Sequence, residues 1–113
     1  MKAMEAVQQF LIQGANLQTG TAYTLVLTDN NKIVSMSNAA SNTVTIPPNS
    51  SVGFPVGATI SVRQAGAGTT AVAPGTGVTL NSRGGLRNCA GQFAYVTIIK
   101  IATDTWDLVG DLA

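Results

Sequence analysis

The chain has 113 residues, the length of one ordinary domain, and a formal net charge of +1. Charged residues make up only 10% of it, so nothing directs it towards nucleic acid or an acidic surface. With no histidine and a single cysteine, Cys89, it lacks the commonest general base and metal ligand, any intramolecular disulfide and any cysteine cluster for zinc. Its polarity comes from Ser, Thr, Asn and Gln, which suit a pleated, half-exposed surface and give little charge repulsion against association.

Residues 2–13 predict a short helix, because Met4, Val7 and Leu11 recur at spacings of three and four with Phe10 beside them, and Gly14 supplies a stop. Glu5, Gln8 and Gln9 interrupt what would otherwise be an apolar signal core, and no apolar run is long enough to span a bilayer. The expectation is a soluble protein made in the cytoplasm, without membrane insertion. A helix of this length is marginal alone in water and must pack on its own domain or on a neighbouring subunit. Met4, Val7, Phe10 and Leu11 are therefore the candidate assembly interface. The Gly- and Thr-rich residues 14–21 read as a flexible joint.

Strand-like alternation follows. Tyr23, Leu25 and Leu27 alternate with Thr24, Val26 and Thr28, and Asp29-Asn30-Asn31 is a turn signal before Ile33, Val34 and Met36, so residues 22–37 predict a hairpin. Strands at 43–46 and 58–64 place Val44, Ile46, Ile60 and Val62 on one face and Thr43, Thr45, Thr59 and Ser61 on the other. Pro47 and Pro48 end the first of them. Residues 69–80 predict two short strands around Pro74-Gly75. They weakly echo residues 43–54, as a coincidence or a shared hairpin solution; a longer series would indicate a solenoid. Residues 81–92 read as the longest irregular loop, with Arg83 and Arg87. Residues 93–101 are apolar on both faces and predict a central strand. A turn at 103–105 then returns a strand whose Trp106 and Leu108 share the inner face. Turn signals every eight to twelve residues point to an all-β fold, a small antiparallel β-sandwich or jelly-roll-like barrel preceded by a short N-terminal helix. The division is 1–20 for helix and joint, 21–113 for the β domain.

The residues that carry chemistry elsewhere are sparse here. Asp104, Asp107 and Asp111 fall in a turn, on a solvent face and in a tail, and read as surface charge. GAGTT at 66–70 and SRGG at 82–85 lack phosphate-loop spacing. Arg63, Arg83, Arg87 and Lys100 lack the aromatic interleaving of a nucleic-acid surface. Asn49-Ser50-Ser51 matches a glycosylation sequon by chance, and Cys89 has no histidine to activate it. The expectation is no enzyme, cofactor or metal. A sugar would need an aromatic platform. Tyr23, Phe54, Phe93, Tyr95 and Trp106 are the aromatics of the β region, and exposure of two of them on one patch would favour such a role.

Residues 23–68, YTLVLTDNNKIVSMSNAASNTVTIPPNSSVGFPVGATISVRQAGAG, and residues 95–112, YVTIIKIATDTWDLVGDL, resemble a β-structured module of tailed-bacteriophage structural proteins. The resemblance rests on the hairpin TL-x-x-x-D-x-x-K-x-V, the core TVTIPPN-x-x-x-x-x-PVG-x-x-I and the closing IK-x-A-x-D-x-W-x-L-x-GDL, kept in order over most of 21–112. It implies a non-enzymatic virion role, as a tail-fibre, tail-associated or capsid-decoration protein. The partners it implies are copies of itself, with a trimer favoured, and other virion proteins. The alternative is an adhesion module for host-surface glycan or protein.

Overall fold

The computed structural model describes residues 14–113. The helix expected over 2–13, with Met4, Val7, Phe10 and Leu11, lies outside the described residues. Nine strands follow: β1 (Ala15–Gln18), β2 (Ala22–Thr24), β3 (Ile33–Met36), β4 (Asn42–Ile46), β5 (Thr59–Gln64), β6 (Thr70–Pro74), β7 (Thr79–Ser82), β8 (Tyr95–Ala102) and β9 (Thr105–Gly110). The fold is all-β, with short 3-10 turns at Leu27–Asp29 and Arg83–Gly85.

The strands form a six-stranded sheet, β1-β3-β5-β8-β9-β7, and a three-stranded sheet, β2-β4-β6. From β1 to β6 the chain changes sheet at every step. Each new strand lies parallel to the strand two before it: Ala15 pairs with Ile33 and Ile33 with Ser61, while Tyr23 pairs with Val44 and Val44 with Val72. The body is thus three stacked coils, β1–β2, β3–β4 and β5–β6, each contributing one strand to each sheet. Antiparallel pairing enters with β8, which lies between β5 and β9, and β9 then pairs in parallel with β7.

This corrects the antiparallel sandwich or jelly-roll expected from the turn spacing. It also removes the 22–37 hairpin, since β2 and β3 sit in different sheets. The Asp29-Asn30-Asn31 signal does mark a turn. The preceding 3-10 turn carries the chain across the gap between sheets: Leu25 is the last buried residue of that run, and Leu27 is exposed. Asn31, at φ 66, is then held by its N–H on the Thr59 carbonyl (2.8 Å). The expected flexible joint is likewise corrected, because β1 lies within it and is bound to β3 from Ala15. The weak echo between 43–54 and 69–80 falls on adjacent coils, with Thr43, Val44, Thr45 and Ile46 beside Ala71, Val72, Ala73 and Pro74.

The predicted inner residues are the core. Val44, Ile46, Ile60 and Val62 are fully buried, and Val34, Met36, Val72, Val96 and Ile98 join them. Trp106 and Leu108 are each 1% exposed, with Phe54 meeting Trp106 edge-to-face at 5.5 Å between ring centres. At the corner between coils, the backbones of 38–40 and 66–68 touch so closely that a Cβ on Gly68 would run into the Ala40 carbonyl. Glycine is required there by space, since its φ is unexceptional.

The inward face changes character on the first coil. Asn16 and Gln18 occupy positions that Val34 and Met36 fill on the next strand. Asn16 Nδ2 donates to the Tyr23 hydroxyl (2.7 Å) and to Asp29 Oδ1 (2.9 Å). The Tyr23 hydroxyl donates to Asp29 Oδ2 (2.6 Å), which also accepts the Val26 N–H (2.9 Å). Polar side chains thus close the end of the apolar stack, as terminal repeats of stacked folds must.

Candidate interaction surface

Period two places the other side chains of the six-stranded sheet on its outer face. Along one register row Leu17, Ser35, Arg63 and Tyr95 lie on β1, β3, β5 and β8. The next row holds Ile33, Ser61, Thr97 and Val109, on β3, β5, β8 and β9. Beyond it come Thr59, Ile99 and Asp107, then Ile101. Ser61 and Thr97 share a hydrogen bond (3.1 Å) and form a low floor between bulkier neighbours. Leu17 is 73% exposed, and Tyr95, Ile101 and Val109 are about half exposed. The strand expected over 93–101 is central, between β5 and β9, but only one of its apolar faces is covered: Val96, Ile98 and Lys100 point inward, while Tyr95 and Ile101 do not.

One corner of this face is aromatic and cationic. Phe93 is 59% exposed at φ 71, a left-handed conformation that costs a bulky residue of order 1–3 kcal/mol. Its N–H is held by the Gln64 carbonyl (2.6 Å). The Arg63 guanidinium lies 5.3 Å from the Phe93 ring centre, and its Nη1 donates to Ser35 Oγ (3.3 Å). Tyr95 is Arg63's register partner. Two of the five sequence-nominated aromatics, Phe93 and Tyr95, therefore flank one arginine in solvent. Phe54 and Trp106 are in the core, and Tyr23 belongs to the polar end.

The other candidate residues are dispersed. Lys100 is buried: its Nζ donates to Asn49 Oδ1 and to the Phe54 carbonyl, both at 2.7 Å. Asp104, in the β8–β9 turn, accepts the Asn49 N–H (2.7 Å). Both residues thus clamp the proline turn at Asn49. Arg87 donates to the Leu80 carbonyl (3.3 Å). Arg83 and Asp107 line a shallow depression of about 250 Å³ with Asn81, Ser82, Leu108 and Val109. Ser82 Oγ is buried beside it and has no hydrogen-bond partner among the described residues. No group of three His, Cys, Asp or Glu side chains among the described residues is placed to hold a metal ion. No described helix is long and apolar enough to cross a membrane.

Two protonated groups are set by the fold. Burial, and then the Asp29 carboxylate, push the Tyr23 hydroxyl from 10.0 up to about 12, against a smaller opposing effect of Asn16. Burial chiefly, with Asp111 adding, pushes the Cys89 thiol from 9.0 up to about 11, against a lowering backbone hydrogen bond at Gln64. A thiol held protonated is a poor nucleophile. Both folded-state values are raised, so the stability these groups confer is complete below pH 9. It is lost as pH rises from about 9 through 12, because the unfolded chain releases those protons first. Urea midpoints should fall across that window, and Tyr23→Phe should flatten its upper part. A midpoint unchanged between pH 9 and 12 contradicts the assignment.

Comparison of the chain with protein-family models, curated proteins and solved structures finds no match.

Proposed function

We propose that the protein is a non-enzymatic bacteriophage virion component, of tail-fibre, tail-associated or capsid-decoration type, that self-associates as a trimer and docks on the particle. The observation that carries this reading is the outer face of the six-stranded sheet. It exposes Leu17, Tyr95, Ile101 and Val109 while carrying only Arg63 and Asp107 as charges, and exposed apolar side chains grouped on one sheet face suit contact with another protein. The resemblance of residues 23–68 and 95–112 to phage structural modules supplies the setting. In this reading Met4, Val7, Phe10 and Leu11 of residues 2–13 face a neighbouring subunit or another virion protein.

Mass spectrometry of purified particles should find the chain, and its absence from them would end the virion reading. Native mass of the isolated protein should correspond to an oligomer. Deleting residues 2–13 should lower that mass and leave the β-sheet circular dichroism intact. An unfolded truncation would assign the segment to the domain's own core, and unchanged mass and docking would make it incidental.

A second reading is favoured by the Phe93–Arg63–Tyr95 corner: an adhesion module for host-surface glycan or protein. Exposed rings stack on the apolar faces of sugars, and a guanidinium offers several donors to their oxygens. A glycan array probed with the wild type and with Phe93→Ala tests it. Binding lost in the variant supports the reading, and no binder above background counts against it.

A further inference from the structure

We propose that the outer face of the six-stranded sheet receives residues 2–13 of a second copy of the chain, an inference that rests on the assembly reading above. A symmetric oligomer built by a segment needs the receiving surface on the same chain. The described surface has other exposed apolar residues, but Val26, Leu27, Val56 and Leu86 lie in separate loops and turns. Only the outer face gathers apolar side chains over neighbouring strands.

Shape and length agree. The Ser61–Thr97 floor is low, with Ile33 and Val109 at its two ends, Thr59 and Ile99 along one side and Arg63 and Tyr95 along the other. From β3 to β9 this trough spans three strand spacings, roughly 14 Å. A helix over residues 2–13, as the apolar spacing predicts, measures roughly 18 Å and covers it.

The chain enters the domain at the margin of this same face. The Ile33 N–H donates to the Gly14 carbonyl (2.9 Å), so Gly14 still belongs to the ladder of edge strand β1. Gly14 has φ 143, a backbone conformation that glycine adopts readily. Residues 2–13 therefore join the domain beside the surface proposed to receive them.

The test uses the full chain with paired cysteines. Gln8→Cys, on the segment, is co-expressed with a second chain carrying Val109→Cys, and a short bis-maleimide is added. Cys89 is 2% exposed and protonated, and the wild type serves as the control for it. A covalent heterodimer is the expected result. Coupling only when both cysteines are in one chain, with a monomer-sized product, overturns the proposal in favour of the chain's own segment. No coupling in either form overturns the receiving face, and deletion of 2–13 then tells whether the assembly reading stands. If that deletion also leaves the native mass unchanged, both fall. Ile99→Asp and Val109→Asp alter partly exposed residues, so the domain should keep its circular dichroism while self-association weakens roughly tenfold to a hundredfold. Association at wild-type strength in both variants also overturns the proposal.

Discussion

Replacing Trp106 by alanine should cost the domain about 3–5 kcal/mol, the loss measured when a large buried side chain leaves a cavity behind. Trp106 is the largest fully buried side chain, 1% exposed, and its register partners are Leu80 on β7 and Lys100 on β8. Phe54, edge-on at 5.5 Å, comes from the turn after the double proline. The indole therefore ties three strands and a loop together, and none of them can close the void without breaking a ladder. Urea unfolding of the wild type and Trp106→Phe against Trp106→Ala measures it. A loss under about 1 kcal/mol in the alanine variant would place the ring outside the core.

Lys100→Met should be nearly as damaging, by about 2–4 kcal/mol, although it replaces a buried charge with an apolar side chain of similar length. Removing the amine strands the Phe54 carbonyl and Asn49 Oδ1, and an unsatisfied buried acceptor costs about 1–3 kcal/mol. Asn49 is exposed, so water compensates part of its loss, while the Phe54 carbonyl is covered. The effect is local to the 47–54 turn. Amide exchange there should speed up before the rest of the sheet does, and uniform exchange across the domain would contradict the clamp. Lys100→Arg should rescue little, because a planar guanidinium does not fit a cavity shaped for a compact ammonium.

The residues that face inward were legible because alternation is a local signal. Val44, Ile46, Ile60, Val62, Trp106 and Leu108 all lie where period two puts them. Lys100 shares the parity of Val96 and Ile98, so the same alternation points it inward, although its charge sets it among the candidate cations. Strand partners were not legible. A strand with one buried face has the same period whether its neighbour runs parallel or antiparallel, so turn spacing alone suggested hairpins. What decides otherwise is the 3-10 turn at Leu27–Asp29, fixed by the Asp29 carboxylate on the Val26 N–H and on Tyr23. That contact joins residues three and six positions apart, which no hydrophobic pattern records. β1 was missed because ANLQ is short, half polar and flanked by Gly14 and Gly20. The Phe93–Arg63–Tyr95 corner was half visible. The rings were nominated, but which two reach solvent depends on the left-handed backbone at Phe93 and on the sheet register.

The coiled path of the chain has a consequence for how such a molecule changes size. Because β1–β2, β3–β4 and β5–β6 are joined by parallel ladders in both sheets, an additional turn inserted between the first and third would find the same kind of ladder on both sides. It would lengthen the body by one strand spacing, about 4.8 Å. The hydrophilic closure at Asn16, Tyr23 and Asp29 and the indole at the opposite end would be untouched. Reach becomes an adjustable quantity, set by the number of turns, while the polar and aromatic ends keep their chemistry.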